Sequence, residues 1–350
     1  MYKKRTVFVI GAGCSHEFDL PLGPKLRDHI FSAALNGTSG VVGQAMLRAP
    51  IPNANIDIDR RMAAFANGLH SKASIDQYLH FHREDEWKVM LGKCAIAATI
   101  LESERASKLA RGMVAHGMLS IGDTWLLKLF HGMNDDTDLP TVERLFQNVS
   151  FICFNYDRCV EVAFFNAIRF LTDAPLERVA EVMQRLRIWH PYGTVGTLDF
   201  QSFGERNALL GFPQTSVGFE EVLQGAKLLR TFTQGMDDEK ILAEMRTALS
   251  EAEQVVYLGF SFLDQNMELL KAPTPKPSSA IYATTLGLSS PDKNLARWAM
   301  ASATVDPASP DEPLAVFRRN NAIAERRKKV DTLHATASEF FDHFGNALRR

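Results

Sequence analysis

TVFVIGAGCSHEFDLPLG, residues 6–23, opens with a β-branched and aromatic run, reaches Gly-Ala-Gly, and then turns polar. The run reads as a buried strand. Gly11 and Gly13 beyond it can take the positive φ and close backbone approach that a pyrophosphate demands. A helix starting there would aim unpaired N–H groups and partial positive charge at an anion, with the Ser15 hydroxyl beside them. The same small residues suit a tight strand-to-helix turn that binds nothing. Cys14, Ser15 and His16 stand where a third glycine is expected of a dinucleotide-binding turn, and Leu20-Pro21 sends the chain into a loop before KLRDHIF starts a helix.

Four more apolar runs end in Gly, Asn or Asp: VSFICFNYD (149–157), RIWHPYG (187–193), QVVYLGFS (254–261) and SAIYATTLG (279–287). Helical patterns such as KLRDHIFSAALNG and RCVEVAFFNAIRFL lie between them. Alternating strands and helices imply α/β architecture, a parallel sheet with helices on both faces and ligands outside the carboxyl ends of the strands. Residues 55–140 read as helices only and are taken as a helical insertion after the first βα unit. The core is then 1–54 with 141–290. The stretch 288–313, with SSPD and VDPASPDEP, reads as a loop or linker, and one final helix follows over AVFRRNNAIAERRKKVDTLHATASEFFDHFGNALRR.

The chain has 350 residues, a formal charge of −2 and 46% hydrophobic content, enough for one large domain or one domain with an insertion. No apolar stretch approaches the roughly 20 residues of a membrane span, and MYKKRTVFVIGAG leaves no room for a cleavable signal, so a cytoplasmic location is expected. Cys14, Cys94, Cys153 and Cys159 form no C-x-x-C pair, which excludes a zinc ribbon and a disulfide framework. The near-neutral charge gives no general reason to bind nucleic acid. RRNNAIAERRKK (318–329) reads as a solvated helix face, while Leu314, Phe317, Leu333, Phe340, Phe341 and Phe344 suggest packing on the body or on another subunit. His80, His82, His116 and His131 form no metal-ligand set, and no metal is expected.

Asn155 and Asp157, two apart at a strand end, suit ribose hydroxyls and a carboxamide; equally, Asp157 would cap the next helix. His190 ends another strand and could move a proton near neutral pH. Gly259, Ser261 and Asp264 put a small residue, a hydroxyl and an acid after a fourth strand.

GAGxS, N-x-D, H-x-x-G and G-x-S, in this order at successive strand ends, make the chain resemble the sirtuins over roughly residues 5–290. The resemblance implies a Rossmann-like core. The family's paired C-x-x-C zinc module is absent, and its Gly-Ile-Pro-Asp-Phe-Arg loop is here Asp19-Leu20-Pro21-Leu22-Gly23-Pro24. Phe154 replaces the Gln that precedes N-x-D. GCSHEFDLPLG, SIDQYL (74–79), FNYD and the helical insertion look more like sirtuin-like domains of bacterial defence proteins, which hydrolyse or sense NAD.

That resemblance implies that Gly11, Ala12, Gly13 and Ser15, with Pro21 nearby, hold the pyrophosphate. Gly259, Ser261 and Asp264 would lie near the adenosine half, and Asn155, Asp157 and His190 would surround the nicotinamide ribose. NAD is then the substrate of a glycohydrolase that releases nicotinamide and ADP-ribose, or a cyclised ADP-ribose. A non-catalytic NAD or ADP-ribose sensor is the alternative, and a deacylase or ADP-ribosyltransferase is less well matched. Oligomers or an activating partner are compatible with this reading. Asp76 faces either the cleft or solvent.

Overall fold

In the first strand, β1 (Thr6–Ile10), side chains alternate between two apolar surroundings, Val7 and Val9 on one face and Phe8 and Ile10 on the other. A strand buried on both faces belongs in the middle of a parallel sheet. The computed structural model places it there and describes residues 1–115, 121–134, 139–201, 209–271, 279–305 and 315–350. The other strands are β2 (Val149–Cys153), β3 (Arg187–Trp189), β4 (Gln254–Leu258), β5 (Ala280–Thr284) and β6 (Val330–Leu333). All pair in parallel, in the order β3-β2-β1-β4-β5-β6. This is the doubly wound, Rossmann-like order, whose direction reverses between β1 and β4.

Between β1 and β2 run α1 (Ala12–His16), α2 (Gly23–Leu35), α3 (Val41–Met46), α4 (Ile58–Leu69), α5 (Ile75–Phe81), α6 (Glu86–Ala106), α7 (Lys108–Ala115) and α8 (Trp125–Asn134). Next come α9 (Cys159–Thr172), α10 (Leu176–Met183), α11 (Phe219–Leu228), α12 (Phe232–Asp237), α13 (Glu239–Glu251) and α14 (Asp264–Leu269). The last are α15 (Ser290–Ala303), α16 (Ala315–Arg327) and α17 (Ala337–Arg349).

Helices α2 to α6, α11, α13 and α15 cover the Val7/Val9 face, and α8, α9, α10 and α17 cover the Phe8/Ile10 face. The described part of 55–140 holds helices joined by turns and no strand, and its helices divide between the two faces: Leu91 and Cys94 join one core, Trp125 and Leu129 the other. No helix among the described residues is long and apolar enough to cross a membrane.

Three expectations about the C-terminal part are corrected. Ser289 caps α15, its Oγ accepting from the Asp292 N–H at 3.3 Å, with Pro291 in the first turn where a missing N–H does no harm. The Ser-Pro-Asp stretch therefore starts a helix, and only 306–313 of the expected linker lies outside the described residues, as does Leu314. The expected single final helix is broken by β6, where Val330 pairs beside Ile281, and restarts at a capping box of Thr336 and Glu339. Phe340 and Phe341 fill the core beneath β1, whereas Phe317 is exposed. Within the basic run, Arg326 is buried and donates from Nε to Thr304 Oγ1 at 3.2 Å, so that residue is no part of a solvated face.

Candidate functional site

The turns after β1 and β4 meet backbone to backbone at the reversal of strand order. The Gly11 N–H donates to the Leu258 carbonyl and the Gly13 N–H to the Gly259 carbonyl, each at 3.0 Å. A Cβ on Gly11 would lie 2.5 Å from the Gly259 oxygen, and Gly259 itself has φ +55°. These glycines therefore have a packing reason to be small, and the N–H of Gly11 and of Gly13 is already engaged. Ala12 opens α1, which is a single turn. The expected loop before α2 is thus preceded by this short helix, and Pro21 sits half-buried in the connection.

Asn155, just beyond β2, reaches across to β1: its Nδ2 donates to the Gly11 carbonyl at 3.0 Å and to Ser15 Oγ at 2.7 Å. Ser15 in turn hydrogen-bonds Asp157, which also accepts from the Cys159 N–H at 3.1 Å. Amide, hydroxyl and carboxylate form one directed chain in which Ser15 accepts from Asn155 and donates to Asp157. Both Nδ2 hydrogens are used, and Asn155 Oδ1 takes no protein donor among the described residues. The bond from the Cys159 N–H closes an Asx turn at Asp157, one residue ahead of α9; the N-cap position expected for Asp157 falls instead to Arg158, whose side chain makes no capping bond.

His190 lies beside Asn155 but approaches its backbone. Its Nδ1 donates to the Asn155 carbonyl at 3.1 Å, and its Nε2 is 3.1 Å from Oε1 of Glu161. The His190 and Glu161 side chains are 10% and 3% exposed. Burial works against charge on the imidazole, but the Cys153 sulfur and the Glu161 carboxylate outweigh it and hold the ring's pKa well above the ordinary histidine value. Both ring nitrogens are therefore engaged by protein oxygens, an arrangement that suits the doubly protonated ring. Glu161 was not among the residues singled out from sequence. Its signal was an acid within the apolar run Cys159–Phe165, where a solvated position was not available on every side.

The next residue after Asp157 anchors this region. Arg158 Nη2 meets Glu104 Oε2 of α6 at 2.5 Å, both side chains being 1% exposed. Arg158 also donates to the carbonyls of Leu210 and Gly211. Pairing Arg158 with Glu104 and His190 with Glu161 leaves Asp157 with no ion pair to a cation among the described residues. Burial accordingly raises the Asp157 pKa, opposed by the hydrogen bonds from Ser15 and Cys159.

On the opposite side of the β2 end, Tyr156 donates its hydroxyl to Asp76 of α5, so Asp76 is held against the body. Burial raises the Asp76 pKa despite that bond. Tyr192 donates to Asn266 Oδ1 at 2.6 Å and accepts from Gln265 Nε2 at 3.1 Å. Phe154, Tyr192 and Phe260 pack edge to face around these groups.

The structure thus brings together Gly11, Gly13, Ser15, Asn155, Asp157, His190 and Gly259. Ser261, on the β4–α14 connection, and Asp264, the first residue of α14, are exposed and take no part in the network. His80 pairs with Thr233 Oγ1 and His82 with Lys88 Nζ, while His116 lies outside the described residues. Among the described residues no group of three or more His, Cys, Asp or Glu is placed to hold a metal ion. Neither protein-family models nor curated proteins give a match to this chain.

Proposed function

We propose that this chain takes NAD at the ends of β1, β2 and β4 and cleaves its bond between nicotinamide and ribose. The observation that carries the reading is Asp157, a buried carboxylate with no cation partner, coupled through Ser15 to an amide whose oxygen is uncommitted. A site of this kind complements positive charge. In NAD cleavage the C1′–N bond breaks with its electron pair leaving on nicotinamide, and the ribose becomes oxocarbenium-like. Asp157 would oppose that charge and Asn155 Oδ1 would hold a ribose hydroxyl or the attacking water. Water adds at C1′ and releases its proton, giving nicotinamide, ADP-ribose and H⁺. The sirtuin-like resemblance adds the setting, NAD depletion in bacterial defence.

Incubating purified protein with NAD and quantifying products by chromatography tests the reading. Equal amounts of nicotinamide and ADP-ribose are expected, and loss of both with Asn155→Ala. One observation favours a second reading, a sensor that binds without turnover: His190 has both ring nitrogens engaged and offers no base. Calorimetric binding of NAD with no nicotinamide release would select the sensor, and neither binding nor release would overturn both readings.

A further inference from the structure

We propose that Glu161 is a positioning residue that holds His190 as an imidazolium clamp on the Asn155 backbone. Two observations support this. The His190 ring is tied at both ends, to a main-chain carbonyl that can only accept and to a carboxylate. Glu161 has no alternative use in the fold, since its second oxygen, Oε2, is buried without a hydrogen-bond partner. A carboxylate left half satisfied in a buried place is costly, and the ion pair with His190 is what makes its ionised form tolerable.

The groups facing this pair are Cys153 at the end of β2, Asp157 in the following turn, and Cys159 on α9, with the Arg158–Glu104 pair beyond. Burial raises the Cys153 and Cys159 thiols, so they remain neutral near pH 7. Arg158 is occupied by Glu104. Glu161 is therefore the carboxylate in direct contact with the ring, and together with the Cys153 sulfur it favours charge on His190. Without it the ring loses a proton and turns into a single neutral tautomer. The bond to the Asn155 carbonyl then depends on which nitrogen keeps its hydrogen, and the geometry of Asn155 relaxes.

Two arms test the proposal on the full chain, and only the second rests on the NAD-cleaving reading. In the first, ring nitrogens of ¹⁵N-histidine-labelled protein are followed by NMR through a pH titration, His190 being assigned by its absence in His190→Gln. Both His190 nitrogens should stay protonated well past the ordinary histidine midpoint, and in Glu161→Gln the midpoint should fall back toward that value. A neutral single tautomer in the wild type at pH 7, or an unchanged titration in Glu161→Gln, overturns the proposal. If Glu161→Gln does not fold, the wild-type titration still decides between the imidazolium and the neutral ring, and Glu161→Asp serves as the variant. In the second arm, NAD turnover in Glu161→Gln should fall by roughly 10²-fold, the effect of a small misplacement of a reacting group. Full turnover there overturns the positioning role. A wild type that fails to cleave NAD overturns the functional reading and leaves the NMR arm intact.

Discussion

Gly13 donates its N–H to the Gly259 carbonyl at 3.0 Å, and a methyl group added at Gly13 would lie 2.7 Å from the Gly259 Cα. The obstacle is backbone on both sides, so it cannot rotate away. Gly13→Ala should destabilise the protein by about 1–3 kcal/mol, the usual range for overpacking. The denaturation midpoint checks this, and a variant as stable as the wild type would show that the two turns separate freely.

Asp157→Asn should separate stability from activity. A carboxyl whose pKa is raised in the folded state contributes stability that is present below its unfolded value and lost as pH rises through its folded value. At neutral pH the carboxylate is therefore a net cost, and the isosteric amide removes it. The variant should melt no lower than the wild type at pH 7 while losing NAD cleavage, as measured by calorimetry and nicotinamide release.

Glu104→Gln should be among the most damaging single changes. It leaves Arg158 charged and buried, with side-chain exposure of 1%, and breaking such a pair costs about 3–5 kcal/mol. Urea unfolding measures the loss. A change confined to a few tenths of a kcal/mol would mean that Arg158 finds water.

Replacing His190 by Gln should matter most on the acid side of its titration. Its raised pKa means that the ion pair's contribution is complete below the ordinary histidine value and disappears as pH climbs through the raised folded value. The difference in melting temperature between wild type and His190→Gln should therefore be largest near pH 6 and shrink in alkaline buffer.

Tyr156→Phe removes the donor to Asp76 without changing the ring. A buried acceptor stripped of its partner costs about 1–3 kcal/mol. Thermal unfolding should show that loss, together with a further rise in the Asp76 pKa, because the hydrogen bond that lowers it is gone.

Five of the six strands were legible because each is an apolar run closed by Gly, Asn or Asp. β6 was not: only Val330 of its four residues is fully buried, so VDTL carries no pattern against the helices around it. α15 was hidden for the opposite reason, since Ser-Pro-Asp marks a turn as readily as a helix start and only the cap geometry distinguishes them. In the site, Ser15, Asn155, Asp157 and His190 were found through their places at strand ends. Glu104 and Glu161 were missed because their partners, Arg158 and His190, lie 54 and 29 residues away along the chain. Pairing at that distance leaves the partner unreadable, and the acid inside the apolar run Cys159–Phe165 is the one local mark of Glu161.

The central strand is also made before both of its neighbours. Thr6 pairs with Val149 on one side and Gln254 on the other, so at about 5–20 residues per second β1 waits roughly 10–50 s on the ribosome for its second neighbour. Until then one of its hydrogen-bonding edges is open to other nascent chains. The helices from α2 to α6 emerge during that interval and can shelter Val7 and Val9, which gives the long excursion between the first two strands a use as a built-in chaperone for the strand that precedes it.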